Sequence, residues 1–464
     1  MSGDEVFFDF SSSPDKQDNR KIKMKKVIVT VDLGFGDSGK GTMVDYLCRK
    51  HNAKWVVRYN GGAQAGHNVV YDNLTHTFSQ FGSGTFAGAN TFLSREVMWN
   101  PIGLVHEAVA LAEKTGVSVK EMLSRHFVDI DAPIITPFHV VTNRIRERSR
   151  GKKKHGSCGK GIGELAKDRV IATEQVLKVR DFVENEAESL KKLGWIQKRK
   201  LFELGESGIK LDPTKEEDKV LLDPKEADKI HAAYLEMFPN FNLTTNGFLP
   251  ELLNREDYVV FEGSQGVLLD EWHGFHPYTT WDTIVPTKAM NLLNESKYSG
   301  HREVMGIIRS FMTRHGEGPM PTETKESDIQ FSHEFNHENE WQGNFRVGYF
   351  DYVLLYYAIE CVSKYCPLNT LAITHLDVLG RQFMPYAARY QMGPKDFCDR
   401  LLPNWDHNLN YQEEMGKVLK RAKPIYPGSF MDADELVSKV QHTFGIKVAY
   451  GSFGPRASEK KEYV

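Results

Sequence analysis

Cysteine is scarce in this chain, and its spacing carries no chemistry. Five of 464 residues are cysteine (Cys48, Cys158, Cys361, Cys366 and Cys398), an odd number with no C-x-x-C pair. That excludes a disulfide-stapled scaffold, a zinc ribbon and a redox dithiol, and the expected compartment is reducing, the cytoplasm. Long apolar runs are missing too. No stretch approaches the ~20 residues of a membrane helix and the N-terminus lacks the apolar core of a secretory signal, so no membrane partner is expected. Neither sign of charge is in excess: 59 Lys and Arg face 62 Asp and Glu, a formal net charge of −3. Without a global pull toward nucleic acid, none is expected as a partner, and an anionic ligand must be held by a local site. Internal repeats and low-complexity arrays are also lacking.

What is present is the composition of an ordinary globular protein, 40% hydrophobic and 26% charged, in a chain long enough for one large domain or a few smaller ones. Residues 1–25 are polar apart from "VFFDF" and are expected to form a flexible extension. Short runs rich in Val, Ile and aromatics follow: "KKVIVTVDL", "AKWVVRYN", "REVMW", "YVVFEG", "EVMGIIRSF", "TLAITHLDVLG" and "IKVAYGSFG". Longer helix-favouring stretches separate them, the pattern of an α/β fold with a mostly parallel central sheet and covering helices. The charged stretch at about 180–250 reads as an inserted helical subdomain, and 381–440 as another excursion. Residues 26–464 are expected to form a single catalytic domain.

The first strand runs into "GFGDSGKGT". Gly34, Gly36 and Gly39 satisfy the dinucleotide pattern G-x-G-x-x-G, but that reading wants an acid for the ribose about 20 residues on. No Asp or Glu occurs between Asp45 and Asp72. Gly34, Gly39 and Lys40 also satisfy G-x-x-x-x-G-K, in which backbone N–H groups and the lysine cradle phosphate at a helix N-terminus. Gly41 then stands where the Mg²⁺-binding hydroxyl should be. The carboxylate of Asp37 is the candidate replacement ligand; the plainer alternative is that it caps the following helix.

Four further loops follow. "RYNGGAQAGHNVV" sets His67 at a glycine loop tip, where imidazole can act as an acid or donor. "RSRGKKKHGSCGKGIG" is either a solvated basic loop or a phosphate site that includes Ser157 and Cys158. "FEGSQG" places Gln265 between glycines at a strand end, one donor and one acceptor suited to a purine edge. "ITHLDVLG" ends a strand in T-H-L-D, similar to the T-K-x-D with which GTP-binding proteins hold guanine.

Together these residues resemble the adenylosuccinate synthetase family, from about residue 26 to "YGSFGPRAS". Its G-D-E-G-K-G-K is matched by Gly36, Asp37, Ser38, Gly39, Lys40, Gly41 and Thr42, and its R-Y-x-G-G-x-N-A-G-H by Arg58 to His67 with Gln64 for the Asn. G-T-T-G-R-G-I-G corresponds to Gly156 to Gly163; F-E-G-A-Q-G, P-Y-x-T and P-T-E correspond to Phe261 to Gly266, Pro277 to Thr280 and Pro321 to Glu323. The resemblance implies a P-loop-related fold and a two-step ligase acting on a purine nucleoside monophosphate (IMP), GTP or ATP, and an amino acid, aspartate. Asp37 would take the N1 proton while Gln265 orients the ring, O6 would attack the γ-phosphate, and an amine would displace the 6-phosphate. His67 and Lys40 complete the catalytic set. Mg²⁺ would be held by Asp37 and the Gly66 carbonyl.

By the same resemblance the monophosphate falls to Gln64, Ser157, Cys158, Gln265 and Thr280. The triphosphate falls to Gly36, Ser38, Gly39, Lys40, Gly41, Thr42, His375, Asp377, Ser452, Gly454 and Pro455, with GTP favoured. The amine-donor loop departs most from the family's T-T-G-R-x-R-R: Trp341, Asn344 and Arg346 stand in "EWQGNFR", and only Arg346 keeps an arginine. Dicarboxylate recognition by bidentate Arg is therefore expected to be altered, with aspartate held differently or replaced. Ser38 for the family's Glu would make room for a 2-amino group, leaving GMP or dGMP open as substrate. A homodimer is expected, although Ala172 stands where the family supplies an Arg across its interface. A nucleotide-binding pseudoenzyme acting through partners is the alternative of another class.

Overall fold

The computed structural model describes residues 25–151, 157–331, 334–336 and 343–463. The extension expected at 1–25 lies, but for Lys25, outside the described residues. The first apolar run is β1 (Lys26–Asp32), and it occupies the middle of a ten-stranded sheet. The other sheet strands are β2 (Trp55–Arg58), β3 (Asn90–Leu93), β4 (His126–Asp129), β5 (Asn242–Thr244), β6 (Tyr258–Gly266), β7 (His301–Arg309), β8 (Thr370–Thr374), β9 (Lys447–Ser452) and β10 (Lys460–Glu462). Their order across the sheet is β10-β9-β8-β7-β1-β6-β2-β3-β4-β5, parallel throughout except for β10, which closes one edge antiparallel to β9. The mostly parallel α/β architecture read from the sequence is therefore the architecture found.

Unbroken apolar strands arise because both faces of a parallel sheet are covered. Val27, Val29 and Val31 of β1 face a core that includes Leu292, Leu293, Leu354 and Tyr357, whereas Ile28 faces a second core with Met43, Val44 and Leu47. The latter three come from α1 (Lys40–His51). A separate core gathers Trp99, Leu193, Ile196, Tyr234 and Phe238 beneath the helices between β4 and β6. Among the described residues no helix is long and apolar enough to cross a membrane.

One expected strand is misplaced. The first three residues of "REVMW" form a turn, with Val97 N–H donating to the Ser94 carbonyl, Met98 and Trp99 make only isolated bridges to Gly62 and Ile134, and the sheet strand is Asn90–Leu93 just before it. Arg95 and Glu96 reach charged partners on Glu295 and Lys288, which an extended, sheet-buried backbone would deny them.

Parallel strands carry their loops to a common end, and in such sheets ligands bind beyond the C-terminal ends near the place where strand order reverses. Here chain order leaves β1 toward β2 on one side and β7 and β8 on the other. The glycine loop after β1 and the loops after β2, β6, β7 and β8 all gather at this end. Gly266 at the end of β6 lies so close to the glycine loop that a Cβ there would strike the Gly34 carbonyl.

Candidate active site

Asp32, the last residue of β1, is fully buried and organises the loop that follows. One oxygen accepts the Gly34 N–H (2.8 Å) and the Ser38 hydroxyl (2.8 Å); the other accepts the Ser38 N–H (3.0 Å) and the Lys40 ammonium (2.7 Å). Burial pushes its carboxyl up, but the charge and hydrogen bond of Lys40, with the Gly34 N–H and the Ser38 hydroxyl, outweigh it, so it lies below the ordinary carboxylate range. Two expectations change in consequence. Lys40 lines the clefts described below but rests its charge on Asp32, and Ser38, 3% exposed, spends its hydroxyl inward on Asp32 rather than facing a nucleotide.

Asp37 does not cap α1. The cap residue is Gly39 at φ 83°, with no side-chain cap, and Asp37 itself takes φ 58°. Its carbonyl accepts from Arg309 Nε at 2.5 Å and its Oδ2 lies 3.5 Å from His315 Nε2. This conformation, unusual for a residue with a Cβ, turns the carboxylate out toward two clefts.

The first cleft is lined by Gly39, Lys40, Gly41, Thr42, His375, Asp377, Ser452, Gly454 and Pro455, with Asp37, Gly66 and His67 at one end. All residues read as triphosphate ligands are there except Ser38 and Gly36; Gly36 lines the second cleft instead. Thr42 donates to the Pro455 carbonyl at 2.6 Å, so its hydroxyl anchors the far wall. That wall is also tied by Lys460, whose ammonium donates to the carbonyls of Gly454 and Arg456, both at 2.8 Å. Burial pushes Lys460 down to about 7 against the pull of Glu459, Asp45 and Asp377. Lys460→Met removes two charge-assisted bonds and is expected to raise the KM for the triphosphate that the family resemblance implies roughly tenfold, with little change in kcat. In the parent the same KM should rise as pH climbs through about 7 and the ammonium loses its proton; steady-state kinetics across pH in both proteins checks this.

The second cleft, about 860 Å³, is lined by Gln64, Ser157, Cys158, Gln265, Thr280 and Arg314 among others, and shares Asp37, Lys40, Gly66 and His67 with the first. Gln64 Nε2 donates to Gln265 Oε1 at 3.3 Å, and the Ser264 hydroxyl donates to the same oxygen at 2.6 Å. Ser157 donates to Asn143 Oδ1 at 2.9 Å, which fixes the turn, and burial pushes the Cys158 thiol up. In the basic run before that turn, Arg148 pairs with Glu217 and Asp218, and Arg150 with Glu147; Lys152 to Lys154 lie outside the described residues.

His67 is not at a loop tip. It opens a strand, His67–Tyr71, and is 5% exposed. Its Nε2 lies 3.0 Å from the Ser264 carbonyl, which can only accept, and its Nδ1 lies 2.6 Å from Glu262 Oε1. Burial pushes Glu262 up, but His67, Arg58 and the Ser83 hydroxyl hold it down at about 2, so the carboxylate accepts as well. Both ring nitrogens therefore face inward, and the ring must turn before it can serve a phosphate.

Among the described residues no group of three His, Cys, Asp or Glu could hold a metal unaided. Mg²⁺ takes one or two carboxylates and completes its shell with substrate phosphates and water. Asp37 offers the carboxylate, and Gly66 lines both clefts beside it.

The amine-donor residues are the least assembled. Trp341 lies outside the described residues, and Asn344 is exposed, its carbonyl accepting from Gly316 N–H at 2.9 Å. Arg346 pairs with Glu323 and donates to the carbonyls of Gly316 (2.9 Å) and Gly318 (3.1 Å), so its guanidinium is already committed. Arg314, which sequence reasoning missed, lines the second cleft together with Arg146 and Arg150. It lies over the Phe35 ring at 4.2 Å and donates to the carbonyls of Tyr278, Glu317 and Pro319; burial, then Arg346 nearby, pushes it down to about 9. Its only signal was the position of "TRHGEGP" between a strand and P-T-E.

A parallel sheet with a glycine loop at its centre, and two clefts that meet at one carboxylate, defines a nucleotide-binding α/β protein. A family model described as adenylosuccinate synthetase matches residues 29–460, and the chain belongs to the adenylosuccinate synthetase family. Members are ligases that form carbon–nitrogen bonds, and that is the enzyme class of this chain. It is similar to the adenylosuccinate synthetases of Chlorobium luteolum (28% identity, 94% of this chain and 98% of that one) and Vibrio parahaemolyticus (32% identity, 90% and 89%). In fold it matches a fully ligated adenylosuccinate synthetase from Plasmodium falciparum with a TM-score of 0.74 at 18% identity, covering 94% of this chain and 100% of that one. It also matches the cyanophage S-2L succinoaminodeoxyadenylate synthetase bound to dGMP and dATP, with a TM-score of 0.55 at 15% identity over 95% of each chain.

Proposed function

We propose that this ligase phosphorylates O6 of IMP with GTP and then lets the amine of aspartate displace the phosphate at C6. The observation that carries the reading is the place of Asp37, whose carboxylate lines the triphosphate cleft and the monophosphate cleft at once. A base there can take the N1 proton, leaving O6 nucleophilic toward a γ-phosphate arriving from the first cleft. The O6–P bond forms as the γ-phosphate leaves the diphosphate; the amine then attacks C6 and the C6–O6 bond breaks, releasing orthophosphate. Gln265, braced by Gln64 and Ser264, orients the ring. The loop N–H groups, Lys40 from its place on Asp32, and His67 once turned outward stabilise the transferred phosphoryl charge. Asp37 and the Gly66 carbonyl would hold Mg²⁺, which when bound neutralises charge on the triphosphate.

Asp377, just beyond the end of β8, supports GTP as the donor, since a carboxylate there can accept from guanine N–H groups. We further propose residues 26–464 as one catalytic domain that acts in the cytoplasm as a homodimer. Val170 is 83% exposed and with Ile171 and the partly exposed Trp281 forms an apolar rim on the second cleft, a surface that a second copy would cover. A second reading keeps the reaction and changes the amine donor. It is favoured by Arg346, whose charge is spent on Glu323.

Product mass decides between them. IMP, GMP and dGMP are each incubated with GTP or ATP and Mg²⁺, with aspartate or a pool of other amino acids, while phosphate release is followed. Phosphate with IMP and GTP, and a product equal to IMP plus aspartate less water, is the expected result. Turnover with GMP or dGMP, or with another amino acid only, would replace the substrate, and no turnover with any pair would leave a nucleotide-binding pseudoenzyme.

A further inference from the structure

The segment that follows β7 meets Asp37 at two points, one a hydrogen bond and the other a longer approach. Arg309, the last residue of β7, donates Nε to the Asp37 carbonyl at 2.5 Å. Six residues on, His315 ends the strand Met312–His315 and directs Nε2 at Asp37 Oδ2 from 3.5 Å. His315 is held in that attitude from the other side. It pairs in antiparallel register with Phe345, whose ring centroid lies 5.1 Å from the imidazole, and its Nδ1 is buried without a hydrogen-bond partner. A ring nitrogen can hold a carboxylate only by carrying the hydrogen, so in such a contact Nε2 is the donor. The separation is long for a hydrogen bond, and contacts to a base commonly tighten when substrate is bound.

We propose that His315 is the positioning residue for Asp37: its Nε2–H holds Oδ2 and thereby presents Oδ1 to the proton that the base removes. This role rests on the ligase reading above. It follows the general arrangement in which a base is itself oriented by a third group. It also separates the two imidazoles of the site by task. His67 faces inward to Glu262 and the Ser264 carbonyl, whereas His315 lines the second cleft beside the carboxylate.

The test uses the full chain with His315→Phe, which keeps a ring against Phe345 but removes the donor, and His315→Gln, which returns an N–H at similar reach. Loss of such an orienting contact typically costs about 10–100-fold. His315→Phe should therefore lower kcat for phosphate release by that factor with the IMP and GTP KM values within about threefold, and His315→Gln should recover most of it. Circular dichroism and melting of each variant keep a folding defect apart from a catalytic one, and His315→Gln serves if His315→Phe does not fold. An unchanged kcat in His315→Phe, a loss confined to KM, or a Gln variant as slow as or slower than the Phe variant would overturn the role of His315. A wild-type protein inactive with every substrate pair would overturn the ligase reading itself, and this role with it.

Discussion

Asp37→Asn is expected to lower phosphate release by a factor of about 10²–10⁴, the usual contribution of a positioned general base. The substitution is chosen to isolate chemistry from folding. Asp37 sits at φ 58°, where asparagine is among the few residues tolerated, and the main-chain bond from Arg309 is untouched. An amide can neither accept the N1 proton nor bring the charge that a metal requires. Nucleotide affinity, read by calorimetry without metal, should change little while kcat collapses. Parental turnover by Asp37→Asn would contradict the assignment of the base.

Asp32→Ala should produce the largest loss of stability among single changes at the site. It strips four bonds at once, from the N–H groups of Gly34 and Ser38, the Ser38 hydroxyl and the Lys40 ammonium. Lys40 is left as a charge whose side chain is 2% exposed, and an uncompensated buried charge costs about 3–5 kcal/mol. The melting temperature should fall by several degrees, and triphosphate binding should weaken because the loop donors are no longer held in register. Because the native carboxyl titrates below the ordinary range, its contribution is present above the unfolded carboxylate pKa and is lost as pH falls through the lowered value. The deficit of the variant should accordingly shrink in acid, as followed by denaturant unfolding at several pH values. A variant as stable as the parent at neutral pH would refute this role.

What could be read beforehand divides by whether a residue's role is local. Glycine loops after apolar strands were legible because backbone approach and strand ends are local properties, and the parallel topology then brought them together without further information. Asp377, Pro455 and Thr42 share one cleft for that reason. What was not legible concerns partners that no local motif names. Nothing near "GKGT" shows that Lys40 would rest on Asp32, although an acid ending an otherwise apolar strand was the available signal. His67 was placed at a tip because its own loop is glycine-rich; its inward turn depends on Glu262, 195 residues away. Arg346 looked free to bind a carboxylate until the fold set it against Glu323. His315 and Arg314 had no periodicity or motif to mark them, and they matter through the register of a small antiparallel sheet.

The central claim is that a purine oxygen is phosphorylated before carbon and nitrogen are joined, and oxygen isotope transfer tests it most directly. IMP labelled with ¹⁸O at position 6 is turned over with GTP, Mg²⁺ and the accepted amine, and the released orthophosphate is weighed by mass spectrometry. The label should pass from the purine into orthophosphate, one atom for each ligation. Unlabelled phosphate, with the ¹⁸O recovered in water or retained on the purine, would contradict it.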